Sequence, residues 1–308
     1  NSTLVRGILP RGGTILGAAN RGNPFALKIK NPDGSITFED TSDKVIERIR
    51  SLGLDALVVV GGDGTLHIAK DLHEIGVPVV GVPKTIDNDV GGTDFSFGFD
   101  TAVATATEAI DKLHTTAESH HRVMVLELMG RDAGFITLFA GIAGGADVIL
   151  IPEIPFQYES LCRKVKARIS RGSYFSIFAV SEGASVNGQE QVYLREGDNI
   201  HQARLGGISN QVAEHIARTC DVETRVTILG HLQRGGSPTP FDRWLATRLA
   251  AEAVRAVGRG ELGMMSALQG NKVITIPLSE ALAQVKRVDV NGDTVKTARN
   301  LGISLGDD

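Results

Sequence analysis

Residues 55–94, DALVVVGGDGTLHIAKDLHEIGVPVVGVPKTIDNDVGGTD, restrict the fold more than any other part of the chain. Two Val-rich apolar runs, 56–60 and 77–82, each stop abruptly at Gly or Pro followed by polar residues, and a helix-like segment separates them. An uninterrupted apolar run of this length reads as a strand buried on both faces. Two such strands joined by a crossover helix make a parallel βαβ unit. Ligands of parallel sheets bind beyond the carboxyl ends of the strands. That rule sends the loops 61–65 (GGDGT) and 84–89 (KTIDND) to the same crevice.

The first loop suits an anion, because glycines let the backbone approach closely and a helix starting near Thr65 would point its free N–H groups there. Asp63 does not fit a plain anion cradle. Its carboxylate makes sense beside phosphate oxygens if a cation lies between them, and Mg2+ is the usual choice. The second loop adds Asp87 and Asp89 with Lys84 and Thr85 alongside. One acid could hold metal while the other takes a proton from a hydroxyl, so the pair of loops reads as phosphoryl transfer from a metal-bound polyphosphate to an alcohol. Each loop alone has a plainer explanation, a capped strand-to-helix turn for GGDGT and an Asx-rich surface turn for TIDND. Their coincidence at successive strand ends favours chemistry.

Further strands end in candidate ligands. Residues 122–128 (RVMVLEL) read as a strand running into Met129-Gly130-Arg131, and a guanidinium just past a strand end suits a phosphoryl group. Residues 174–180 give another strand, with Glu182 beyond it. Residues 223–229 lead to GHLQRGGSP, where His231 and Arg234 beside glycines suit a phosphate monoester. Arg122 and Arg225 lie at the opposite ends of their strands, roughly 25 Å of extended chain away in the case of Arg122. Helical spacing predicts helices over 41–54, 99–119, 133–144, 159–171, 209–220 and 242–258, with Trp244, Leu245 and Leu249 facing inward in the last. Arg163, Lys164, Lys166 and Arg168 are expected on a solvated helix face. Residues 183–205 form a polar stretch longer than an ordinary connection, with a hairpin in QEQVYLREGDN.

Composition narrows the class. A chain of 308 residues with 42% hydrophobic and 22% charged residues suggests about two domains with real cores. Net charge is −4 and the basic residues are scattered, which favours neither nucleic acid nor an anionic membrane. No apolar run approaches the roughly 20 residues that span a bilayer. The start, NSTLVRGIL, lacks the layout of a secretion signal. Cys162 and Cys220 offer no disulfide framework or metal spacing, and reduced packing residues of a cytoplasmic protein are expected.

The motifs GGDGT, PKTIDND, HRVMVLELMGR, VSEG and ETRVTILGHLQRGGSP, in that order, resemble the signature loops of the 6-phosphofructokinase family, from residue 12 to about 258. GGDGT is shared with NAD and diacylglycerol kinases; TIDND followed by MGR and GHLQRGGSP is far more specific. The resemblance implies two doubly wound (Rossmann-like) α/β domains with the active site in the cleft between them. The donor (nucleotide) domain would comprise 1–98 and 233–282, and the sugar-phosphate domain 99–232 and 283–308. Nothing here matches the family's first strand and glycine-rich loop. The implied reaction moves the terminal phosphoryl of ATP to the 1-hydroxyl of fructose 6-phosphate, in glycolysis. In it Asp87 is the base, Arg131 stabilises the transferring group and Thr85 orients it. Asp63 and Asp89 hold Mg2+. Gly62, Gly64, Thr65, Lys84 and Arg21 bind the donor, although the family's arginine aligns more directly with Asn20. Met129, Gly130, Glu182, His231 and Arg234 join Thr85, Asp87 and Arg131 around the sugar phosphate. Arg122 and Arg225 would reach it from a neighbouring subunit of a homo-oligomer, a dimer or tetramer. Gly64 points to ATP, since an aspartate there goes with pyrophosphate; Lys84 is shared with pyrophosphate users. A pyrophosphate-dependent enzyme, a non-catalytic regulatory subunit and an NAD or lipid kinase are the alternatives.

Overall fold

The computed structural model describes residues 3, 5–18, 22–195 and 204–308. A hairpin of β1 (Leu27–Lys30) and β2 (Ile36–Glu39) precedes α1 (Ser42–Ser51), β3 (Leu57–Gly61), α2 (Asp63–Glu74), β4 (Val79–Thr85) and the short β5 (Phe97–Gly98). Then come α3 (Phe99–His120), β6 (Val123–Leu128), α4 (Phe135–Ala143), β7 (Val148–Leu150), α5 (Tyr158–Ser170) and β8 (Ser176–Ser181). They are followed by β9 (Tyr193–Arg195), β10 (Arg204–Leu205), α6 (Ile208–Cys220) and β11 (Thr224–Ile228). A 3-10 turn, Gly230–Arg234, leads to α7 (Pro240–Arg259), β12 (Met264–Gln269), β13 (Lys272–Pro277), α8 (Leu278–Ala281) and α9 (Asp293–Asn300).

The chain divides into two compact units, one of Asn1–Thr85, Asp89–Gly98 and Pro240–Val285, the other of Ile86–Asn88, Phe99–Thr239 and Lys286–Asp308. The segment up to Thr239 goes with the second unit for a visible reason. Gln233 Oε1 accepts the Met129 N–H at 3.3 Å, and Thr239 donates from Oγ1 to Asp100 Oδ2 at 2.5 Å and from its backbone N–H to Thr101 Oγ1 at 3.1 Å.

In the first unit the strand order is β13-β12-β4-β3, with β5 also on β4; β3, β4, β5 and β12 run parallel and β13 antiparallel. Successive side chains of a strand point to opposite faces, so β4 is covered twice. Val79 packs with Leu66, Ala69 and Leu72 of α2, while Val80 and Val82 pack with Leu245, Leu249 and Ala253 of α7. Burial on both faces is why its sequence is an unbroken apolar run. At the sheet edge, β3 turns Leu57 and Val59 towards the α2 cluster and leaves Val58 and Val60 40% and 48% exposed.

The second unit holds an all-parallel sheet, β11-β6-β8-β7. Val123, Val125, Phe178 and Val180 pack against Leu161 and Val165 of α5 and Val212 and Ile216 of α6. On α4, Gly141 lies so close to the sheet that a Cβ there would sit 2.6 Å from Ile149 and 3.4 Å from Ala179, and Phe139 of α4 meets Phe99 of α3 edge-on. Helices therefore flank the sheet on both faces, as in doubly wound folds. Among the described residues no helix is long and apolar enough to cross a membrane.

Three expectations about side chains and elements need correcting. Trp244 is 51% exposed, not inward; the Arg248 guanidinium lies over its ring at 4.3 Å, and Phe241 meets it with ring centroids 6.0 Å apart. Arg168 is not a solvated cation, because its Nη1 pairs with Asp147 Oδ1 at 2.5 Å while Nε and Nη2 donate to Phe175 O, Ser176 Oγ and Ser173 Oγ. Helix α2 begins at Asp63 rather than Thr65. Of the hairpin expected in 189–199, residues 196–199 lie outside the described residues, and β9 pairs instead with β10, beyond that stretch.

Candidate active site

In the first unit the candidate donor residues collect at the ends of β3 and β4. Gly61 closes β3, and a Cβ on it would come within 2.4 Å of Thr65 Cβ; one on Gly62 would meet Thr85 Cβ at 3.3 Å. The GGDGT turn is thus folded tightly against the end of β4, with glycine required where the turn crosses Thr65. Asp63 opens α2, where a carboxylate is favoured by the helix's free N–H groups. Its Oδ1 lies 3.4 Å from His67 Nδ1 one turn on. Gly64 and Thr65 are exposed, and a Cβ on Gly64 would meet nothing within 4 Å. Lys84 is exposed and Thr85 half-buried, with its carbonyl accepting Ser96 Oγ at 2.9 Å. Arg21, expected to bind the donor, and its neighbour Asn20 lie outside the described residues.

The segment carrying Asp87 turns at Asn88, a buried residue whose φ of 54° falls in the left-handed region that Asn tolerates. Asp87 goes with the second unit and Asp89 with the first.

In the second unit the ends of β6 and β8 and the 3-10 turn bring their residues together. Glu182 follows β8, its N–H donating to Leu128 O at 2.8 Å. Burial pushes its carboxyl above the usual glutamate range, against a backbone hydrogen bond from Gly130; the charges of Glu127 and Asp87 push the same way as burial, and Arg234 opposes them. Asp87 and Arg234 are therefore each close enough to bear on the Glu182 carboxyl. Gly130 has a φ of 144°, and its carbonyl accepts Ser181 Oγ at 2.7 Å and the Gly183 N–H at 3.1 Å. Met129 is half-buried at the same strand end. Arg131 is exposed, its Nε 3.7 Å from Asp132 Oδ2. His231 and Arg234 are exposed on the 3-10 turn.

Arg122 and Arg225 stand at the other end of this sheet, where β6 and β11 start side by side with Val123 opposite Thr224. Arg122 Nε lies 2.8 Å from Glu223 Oε2, and Arg225 Nη2 bonds Glu223 Oε1. The arginines hold the Glu223 carboxyl below its usual range, mainly through the Arg122 hydrogen bond.

Two supporting residues escaped the sequence reading. Gln233, 1% exposed, joins the 3-10 turn to the Met129 loop through its Oε1 and donates from Nε2 to Gly230 O at 3.1 Å. Ser181 ties β8 to Gly130. Both lie inside quoted motifs, GHLQRGGSP and VSEG, but Met129 and Gly130, to which they bond, are brought near only by the fold, so neither leaves a spacing signal.

The chemistry of the donor set suits Mg2+ carried by a polyphosphate. Asp63 and Asp89 are hard oxygen ligands, and Mg2+ takes one or two carboxylates with the rest of its shell from phosphate and water. Among the described residues no group of three or more His, Cys, Asp or Glu is placed to hold an ion by itself.

The fold and these strand-end residues define a two-unit α/β protein equipped for phosphate chemistry. The Phosphofructokinase family profile matches residues 1–257. A curated relative from Chloroflexus aurantiacus, "ATP-dependent 6-phosphofructokinase", is 52% identical over 304 residues, covering 99% of this chain and 83% of its own. One from Streptomyces coelicolor, "Pyrophosphate--fructose 6-phosphate 1-phosphotransferase", is 50% identical over 287 residues, covering 92% of this chain and 80% of its own. The crystal structure of Pichia pastoris phosphofructokinase in the T-state superposes with a TM-score of 0.77 at 30% identity; the match takes in 98% of this chain and 31% of the yeast one. The chain belongs to the phosphofructokinase family.

Proposed function

We propose that this protein transfers the terminal phosphoryl group of ATP to the 1-hydroxyl of fructose 6-phosphate. The observation that carries the reading is the close seating of the Arg131 loop on the Glu182 loop, where Gly183 N–H and Ser181 Oγ both donate to Gly130 O, with Asp87 and Arg234 near enough to bear on the Glu182 carboxyl. An acid able to take a proton, an acid able to accept hydroxyl hydrogen bonds and a cation suited to a phosphate monoester are the groups that a sugar-phosphate acceptor needs.

Asp87 removes the proton of the 1-hydroxyl as that oxygen attacks the terminal phosphorus. Arg131 stabilises the charge on the transferring group, and Thr85 orients it. Glu182 and Met129-Gly130 hold the sugar; His231 and Arg234 hold its phosphate. Gly62, Gly64, Thr65 and Lys84 receive the donor's phosphates, with Asp63 and Asp89 as the ligands for Mg2+, which would neutralise phosphate charge. Arg122 and Arg225 serve the phosphate monoester bound by a neighbouring copy.

ATP is preferred over pyrophosphate because Gly64 leaves open space in the turn, as the empty surroundings of a Cβ there attest. An aspartate at that position would repel an additional phosphate, and a repulsive group separates ligands more sharply than an adaptable lysine does. The test is turnover of fructose 6-phosphate by purified protein with each donor in turn. ATP should support it and pyrophosphate should not. Gly64→Asp, which the open space tolerates, should abolish ATP use without unfolding the protein. Wild-type turnover with pyrophosphate alone would reverse the assignment of donor.

A further inference from the structure

Gln191 lies in the polar stretch after β8, outside every motif in the sequence, yet its side chain reaches back to the strand ends. Its Nε2 donates to Arg131 O at 2.9 Å and to Gly183 O at 3.0 Å. These carbonyls belong to different loops, one following β6 and carrying Arg131, the other following β8 and carrying Glu182. The loops already touch as closely as backbones can, since a Cβ on Gly183 would fall 2.0 Å from Arg131 O and 2.8 Å from Gly130 O. On one side Gly183 N–H and Ser181 Oγ satisfy Gly130 O. That leaves the carbonyls of Arg131 and Gly183, two acceptors that no described backbone donor reaches, and one amide nitrogen with two hydrogens fills the need of both.

We infer that Gln191 is a positioning residue, a clamp that fixes the Arg131 loop on the Glu182 loop and so sets the spacing of the phosphoryl-stabilising arginine from the sugar ligand. This rests on the roles proposed above for Arg131 and Glu182. The physical argument is one of order. Among the described residues the exposed Arg131 guanidinium has only the distant Asp132 carboxylate as an ion-pair partner, so the place from which it reaches is set by its backbone. The peptide carbonyl that Gln191 holds belongs to that same residue. Misplacing a transition-state ligand by a fraction of an ångström costs rate, whereas binding of the donor, made by residues of the first unit, is untouched.

The experiment compares Gln191→Met, close in shape without a donor, and Gln191→Glu, which sets carboxylate oxygens against two carbonyls. Loss of two neutral hydrogen bonds predicts a fall of about 10- to 30-fold in kcat/KM for fructose 6-phosphate with Met, more with Glu, and KM for ATP within about twofold of wild type. Amide exchange of residues 183 and 184 should quicken in both variants. Faster exchange with that kinetic split supports the clamp. Unchanged exchange overturns it, and so does faster exchange with wild-type kinetics per folded molecule, which would leave Gln191 a merely structural contact. Should wild-type protein fail to phosphorylate fructose 6-phosphate, the failure belongs to the functional reading, and exchange alone then decides whether the two loops are clamped.

Discussion

At Glu182, folding and binding make opposite demands. Its carboxyl titrates above the ordinary glutamate range in the folded chain, chiefly because it is buried. A raised carboxyl pKa means the folded state holds the proton more tightly than the unfolded chain. Below the unfolded value both states are protonated and the group costs nothing; as pH rises through the raised value, stability is lost. Glu182→Gln should therefore raise the urea midpoint at neutral pH and leave it unchanged near pH 4. On the sugar-binding role proposed for Glu182, the same change removes a charged acceptor for hydroxyls, so KM for fructose 6-phosphate should rise about 10- to 100-fold. A midpoint that rises equally at both pH values would mean burial is not the cause. The role proposed for Asp87 makes a different demand: as the base it would gain a proton in the transition state without needing to grip the sugar beforehand. Asp87→Ser is expected to lower kcat by ~10²–10⁴-fold with little change in sugar binding, measured by steady-state kinetics and equilibrium titration.

At the level of elements, the close seating of the β6 and β8 loops gives a prediction independent of chemistry. Gly183→Ala puts a methyl group on the Arg131 carbonyl, and separating the loops should cost about 1–3 kcal/mol in a urea melt. These loops also show where sequence reading succeeds and stops. Strands β4, β6 and β8 were legible because each is buried on both faces and so appears as an apolar run ended by Gly, Pro or polar residues. The residues just past them were legible because a parallel sheet fixes which end faces a ligand. The β1–β2 hairpin was not, since its strands are mostly exposed and carry neither an apolar run nor clean alternation. Trp244 misled because helical spacing names a face without saying how wide the covering layer is. Gln191 and Gln233 left no trace because they act on backbone carbonyls and N–H groups, whose meeting depends on the whole unit. Cys162 and Cys220 met expectation as packing thiols: Cys162 is buried, and burial together with its neighbour pushes the Cys220 thiol up to about 12.

Across the whole molecule, the role proposed for Arg122 and Arg225 is one that their own chain is badly placed to use. They stand at the start of β6 and β11, whereas Arg131, Glu182, His231 and Arg234 follow strand ends, and a six-residue strand separates the two ends by about 20 Å. Glu223 holds both arginines side by side, and in the role proposed for them the pair would meet an incoming phosphate monoester. If that phosphate sits on a neighbouring copy, each active site takes Asp87 from one chain and Arg225 from the other, and two crippled variants can repair each other. Asp87→Ser lacks the base but keeps the arginine that it lends; Arg225→Ala keeps the base but lends nothing. In a randomly reassembled mixture, half of the Arg225→Ala chains meet an Asp87→Ser partner. About a quarter of all sites then become complete under closed twofold pairing. Dissociating the two inactive proteins together and reassembling them should restore roughly that fraction of wild-type activity at subsaturating fructose 6-phosphate, while mixing without dissociation restores none. Activity that never exceeds the sum of the separate variants would place Arg225 in the service of its own chain, and the oligomer would lose its part in the site.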